Sequence, residues 1–141
     1  MAVRYVRFLF IVKLLLLAPV QAANAESVLY CFDVLSTGFS KSDGTWETAD
    51  FEKTRFTVKV IGDWEGLVHE EEEYSCFDGG EFEGFHPIIC KNTAPWLSNT
   101  FNFDKSSLRY VYSSVSIGGY ASSGITDPDT DNLQAGDCET F

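Results

Sequence analysis

Short alternating runs set off by turn residues constrain this chain more than any other feature of it. Phe56-Thr57-Val58-Lys59-Val60 places Phe56, Val58 and Val60 on one face and the polar residues on the other, the two-residue period of a half-buried strand. Val28 to Val34 is apolar apart from Asp33. Thr100 to Phe103, the turn residues Asp104 to Ser107, and Leu108 to Tyr112 read together as a hairpin with a four-residue turn. Tyr74 to Phe77 and His86 to Cys90 are further strands, joined by a loop containing Gly79, Gly80 and Gly84. Residues 47 to 55 break the pattern, because Ala49, Phe51 and Glu52 lack alternation, and they predict one short helix. Regular spacing of strands and turns therefore predicts a mainly β fold, an antiparallel sheet curled into a small barrel or sandwich with that helix attached. Trp46, Trp64 and Trp96, with the many Phe and Tyr residues, suit such packing and are read as core fillers.

The first 25 residues stand apart. Arg4, Arg7 and Lys13 precede any acid, an apolar run follows from Leu14 to Val20, and small residues end at Ala23-Asn24-Ala25. That order is the grammar of a cleavable signal peptide, with cleavage expected before Glu26, or alternatively after Ala22. A membrane span needs about 20 consecutive apolar residues, and Lys13 interrupts the run well short of that. A lipid-modified Cys31 is disfavoured by the bulky Tyr30 before it. The expected mature protein is one domain, residues 26–141, exported to the periplasm or the extracellular space. It carries no membrane span.

Losing 25 of 141 residues leaves 116, the size of one ordinary domain. Three of the ten basic residues leave with the peptide while all 21 acids stay, so the mature balance is −14. Nucleic acid is excluded as a partner by that sign; a cationic protein is the partner that the charge favours.

Cys31, Cys76, Cys90 and Cys138 all follow the leader. An even count in an exported chain predicts disulfides, and no Cys-x-x-Cys spacing supports zinc. If the first strand and the last residues close the sheet, Cys31 pairs with Cys138. Cys76 then pairs with Cys90 across the glycine-rich hairpin.

No catalytic residue or cofactor is assigned. Asp127, Asp129 and Asp131 are spaced like the opening of a calcium loop, but Asn132 and Cys138 replace the turn glycine and the bidentate glutamate, so an acidic surface turn is the expectation and no metal is assigned. His69-Glu70-Glu71-Glu72-Glu73, if extended, divides its charge between two faces and reads as a solvated strand or loop. The abundance of carboxylates keeps a small hydrolase as an alternative. The segment Phe77 to Pro87 interleaves aromatics, acids and glycines; a loop of this kind would present Phe82 and Phe85 to a partner while Glu81 and Glu83 set its charge preference.

Tyr30-Cys31 soon after the leader, Phe101-Asn102-Phe103 with Leu108-Arg109-Tyr110, and Gly136-x-Cys138-x-x-Phe141 resemble pieces of small exported disulfide-containing β proteins of Gram-negative bacteria with no assigned function. That resemblance implies an exported binding or envelope-associated domain. Ser116-Ile117-Gly118-Gly119-Tyr120 is similar to the Ser-Gly-x-x-Tyr loop of periplasmic inhibitors of C-type lysozyme, with Ile117 inserted and one residue fewer before Tyr120. This second resemblance implies a small β-barrel that inhibits a basic enzyme.

Overall fold

The computed structural model describes residues 26–92, 97–116 and 130–140. The proposed leader therefore lies outside the described residues, as do Asp127, Asp129 and residues 117–120. The described residues form nine strands, in chain order β1 (Glu26–Ser42), β2 (Thr45–Asp50), β3 (Arg55–Ile61), β4 (Gly66–His69), β5 (Glu72–Asp78), β6 (Pro87–Asn92), β7 (Leu97–Asp104), β8 (Arg109–Ser116) and β9 (Thr130–Thr140). Every pairing is antiparallel. Strands β3 to β9 form a meander, β1 pairs with both β3 and β9, and eight strands close into a barrel while β2 pairs only with the far half of β1.

The helix expected over residues 47 to 55 is not formed. Thr45–Asp50 is strand β2, and no helix occurs among the described residues. The turn Asp43-Gly44, with φ of 49° and 81°, is the reason. Two consecutive positive φ values make a primed hairpin turn whose twist matches antiparallel strands, so Trp46 is set opposite Lys41 and Thr48 opposite Phe39.

Closure between β1 and β9 depends on a bulge and a glycine. Asp33 faces Gly136 while Leu35 faces Ala135, so Val34 is the extra residue. The bulge turns Val34 and Leu35 both outward and returns Ser36 to the interior. At Gly136 a Cβ would lie 2.0 Å from the Phe32 carbonyl oxygen and 2.8 Å from the Tyr110 hydroxyl, an approach only glycine permits.

Inward positions fill the barrel with Leu29, Val58, Val60, Leu67, Ile88, Phe101, Phe103 and Tyr110, all nearly inaccessible to solvent. Phe101 anchors the aromatic cluster, with its ring centroid 4.3 Å from that of Tyr112, 5.3 Å from Tyr74 and 5.6 Å from Phe103. Both disulfides, Cys31–Cys138 and Cys76–Cys90, join residues directly opposed in register. These are the two pairings expected from the order of the strands.

One carboxylate is buried beside this core. Asp33 accepts from the Tyr110 hydroxyl at 2.5 Å, the Thr54 amide at 2.7 Å and the Thr54 hydroxyl at 2.8 Å, tying β1 to β8 and to the segment before β3. Burial, then the hydrogen bond to Asp33, raises the Tyr110 pKa. Burial, then the neighbouring Tyr112 and Glu72, raises that of Tyr74, and burial raises that of Tyr112.

An unfolded chain releases tyrosine protons near the ordinary value of about 10, whereas the folded chain retains these. Their contribution to stability is therefore complete below pH 10 and lost as pH rises past it, by about 1.4 kcal/mol per pH unit for each of Tyr74 and Tyr110. An alkaline titration followed by tyrosinate absorbance and circular dichroism should show these tyrosines ionising only as the fold is lost. Ionisation of all tyrosines with the circular dichroism unchanged would contradict the assignment.

Candidate functional site

The inside of the barrel accounts for one face of each strand, and the other face meets solvent. On that outer face the register aligns one residue from each of six neighbouring strands into a single transverse row: Phe77 opposes Ile89, Ile89 opposes Asn102, Asn102 opposes Val111, Val111 opposes Ala135, and Ala135 opposes Leu35. Adjacent strands lie about 4.8 Å apart, so the row runs roughly 24 Å around the barrel. Five of its six side chains are apolar. Phe77 and Leu35 are 67 % and 63 % exposed, and Val34, turned out by the bulge, extends the row.

The loop between β5 and β6 leans over this surface. Phe82 and Phe85 exchange both backbone hydrogen bonds at 2.8 Å, closing a two-residue turn in which Glu83 and Gly84 have φ of 48° and 81°. Only the permissive Gly84 fits the second position without strain. The loop is anchored at its base: the Gly79 amide donates to the Pro87 carbonyl, the His86 amide to Asp104, and the Lys105 amide to the His86 carbonyl. The Gly80 amide, and then His86 at 2.7 Å, hold the Asp78 carboxyl below its ordinary pKa. Asp104 is lowered further, to about 2, chiefly by the Ser107 hydroxyl, then by the His86 amide. The same carboxylate thus closes the β7–β8 turn and fastens the loop.

Phe85 and Pro87 wall one side of an open groove of about 860 Å³, with Ile89 and Val111 in its floor and Val34 and Leu35 beyond. Asp104, Asp137 and Arg109 stand at the end nearest the β7–β8 turn, where the Arg109 guanidinium is 3.3 Å from Asp137.

Of the residues singled out in the sequence, Phe82 and Phe85 are exposed, at 68 % and 48 %, and Glu81 and Glu83 are exposed beside them. Phe85 reaches the groove, whereas Phe82 does not line it. Because neither ring belongs to the core, Phe82→Ala with Phe85→Ala is expected to change stability by no more than about 0.5 kcal/mol, measurable by urea unfolding. A loss of several kcal/mol would place these rings in the core.

The acidic run is not a uniformly solvated strand. Glu70 and Glu71, both with positive φ, form the β4–β5 turn, while Glu72 faces inward and accepts from Tyr74, Asn92 and Asn99. Asp131 lies on β9 opposite Phe39, and no group of three or more metal-ligating side chains occurs among the described residues. The outer row went unseen in the sequence because Phe77, Ile89, Val111 and Leu35 belong to separate strands, and only the register brings them into line. Compared with known proteins, the chain matches no family model, no curated protein and no solved structure.

Proposed function

We propose that this is an exported, non-catalytic binding domain whose outer groove docks a cationic protein. The observation that carries the reading is the row across six strands, apolar at five of its six positions, on the face of the barrel that the core does not use. Contiguous exposed apolar surface marks interaction sites, and here it is continuous with the ring of Phe85. The groove acids Asp104 and Asp137, the exposed Glu81 and Glu83 of the loop that carries Phe85, and the mature balance of −14 favour an approaching surface rich in Lys and Arg. Two disulfides suit the oxidising compartment that export implies. The N-terminal sequence supplies the route, as a leader cleaved before Glu26.

Biolayer interferometry of the oxidised chain against basic exported proteins, a C-type lysozyme first, tests this. A saturable complex is expected that weakens as salt rises. Val111→Arg, in the groove floor, should weaken it at least tenfold at unchanged melting temperature. Binding indifferent to Val111→Arg, or no saturable binding across the panel, would overturn the proposal.

A further inference from the structure

The first half of β1 runs between β3 and β9 and is paired to both. Its inward residues Leu29 and Cys31 are buried, so Tyr30 and Phe32 stand on the outer face, 38 % and 42 % exposed. Side chains two residues apart on a strand share a face at a spacing of roughly 7 Å, which sets these two next to each other along β1. They lie in a cleft of about 510 Å³, within the size range of sites for small ligands. The register supplies its flanks. Thr57 opposes Tyr30 and Arg55 opposes Phe32 from β3, while Glu139 opposes Tyr30 and Asp137 opposes Phe32 from β9. Neighbouring strands lie about 4.8 Å from β1 on each side, so the flanks stand roughly 10 Å apart with the aromatic residues between them.

The two flanks differ in chemistry, and each keeps a charged group open to a ligand. Arg55 and Glu139 are exposed, and the side chain of neither makes a hydrogen bond or ion pair with another described residue. Asp137, by contrast, is engaged by Arg109 at 3.3 Å. Arginine only donates and an ionised glutamate only accepts, whereas threonine does both. A matching occupant must therefore bring acceptors to the β3 side, donors to the β9 side and a weakly polar face for the rings. With one open charge of each sign, the cleft favours a neutral ligand.

We propose that this cleft binds a neutral pyranose chain, one sugar ring resting on Phe32 and the next on Tyr30, with hydroxyls that accept from Arg55 and donate to Glu139. A pyranose carries C–H bonds on its flat faces and hydroxyls around its edge, and the C–H bonds suit the negative face of an aromatic ring. Each hydroxyl both donates and accepts, so one sugar serves both flanks. An extended peptide fits less well, because peptides add to the free edge of a sheet and β1 is paired on both sides here. A nucleic-acid base would stack on the same rings, but its phosphates meet the mature balance of −14. An apolar ligand would leave Arg55 and Glu139 unused. The cleft shares no lining residue with the outer groove, so the two sites stand or fall separately.

Calorimetric titration of the oxidised chain with cellohexaose, N-acetylchitohexaose and maltohexaose tests the site. At least one should bind saturably, with an affinity that does not fall as salt rises, unlike the docking of a cationic protein. These chains differ in linkage or in one substituent, so the one that binds names the sugar. Phe32→Ala should weaken that binding at least tenfold and Arg55→Ala at least threefold. Phe82→Ala, which removes a more exposed ring outside both the cleft and the groove, should leave it unchanged. Because Phe32 and Arg55 face solvent, both variants should keep the parent melting temperature; if Phe32→Ala fails to fold, Arg55→Ala decides alone. No binding of any of the three sugars, binding undiminished in either cleft variant, or a loss in Phe82→Ala as large as in Phe32→Ala would overturn the proposal. A peptide that binds in place of the sugars and is lost in Phe32→Ala would overturn it as well.

Discussion

Replacing Cys31 and Cys138 together by alanine is expected to lower the free energy of unfolding by about 4 to 5 kcal/mol, against about 3 for Cys76 with Cys90. Each bridge joins residues already opposed in the sheet, so neither is needed to choose the register. Their effects differ through the unfolded chain. Cys31–Cys138 closes 107 residues and Cys76–Cys90 only 14, and the longer loop removes more conformations from the unfolded ensemble. The longer bridge also lies on the seam where β9 returns to β1, so its loss frees the two strands whose pairing makes the barrel closed. Urea unfolding of the two double variants checks this, with a steeper denaturant dependence expected for Cys31→Ala/Cys138→Ala because its unfolded state is less compact. If the Cys76→Ala/Cys90→Ala pair proves the more costly, loop closure is not what this bridge contributes.

Local chemistry made most of the barrel legible, and it failed where the information was not local. The alternation of Phe56, Val58 and Val60 identified β3, and Asp104 to Ser107 located the β7–β8 turn, because period and turn residues report directly on backbone conformation. The expected helix over 47 to 55 shows the opposite. Asp43-Gly44 was a readable primed-turn signal, and giving it weight would have turned Thr45–Asp50 into the partner of β1. Strand β1 runs to Ser42, beyond the apolar stretch ending at Val34, because its outer half is held by β2 and β9 and not by a buried apolar face. The loop with Phe82 and Phe85 was visible from composition. The groove beside it was not, since a bulge at Val34 and the registers of six strands create it. Glu72 was misplaced for a related reason: the turn consumes Glu70 and Glu71, which resets the facing of the two acids that follow.

Asp33→Ala should rank with loss of the long bridge, at about 3 to 5 kcal/mol. The substitution strands the Tyr110 hydroxyl, and with it the Thr54 amide, inside the seam, and each buried unpaired group costs about 1 to 3 kcal/mol. Tyr110→Phe removes one donor and leaves the carboxylate with both bonds from Thr54, so about 1.5 to 3 kcal/mol is expected, the range for a hydrogen bond to a charged group. The double variant should cost less than the sum of the two, because the Tyr110–Asp33 bond is counted in both. A coupling energy of 0.5 to 3 kcal/mol is the usual range for groups in direct contact. Gly136→Ala offers an independent approach to the same place. Its Cβ would meet the Phe32 carbonyl at 2.0 Å and the Tyr110 hydroxyl at 2.8 Å; the hydroxyl can swing aside, but the carbonyl belongs to the strand that closes the barrel. Urea unfolding of the four chains, followed by fluorescence, measures the cycle. Strict additivity of Asp33→Ala and Tyr110→Phe would mean that the hydroxyl and the carboxylate do not act as a pair, and that the seam is held by the backbone ladder and the disulfide alone.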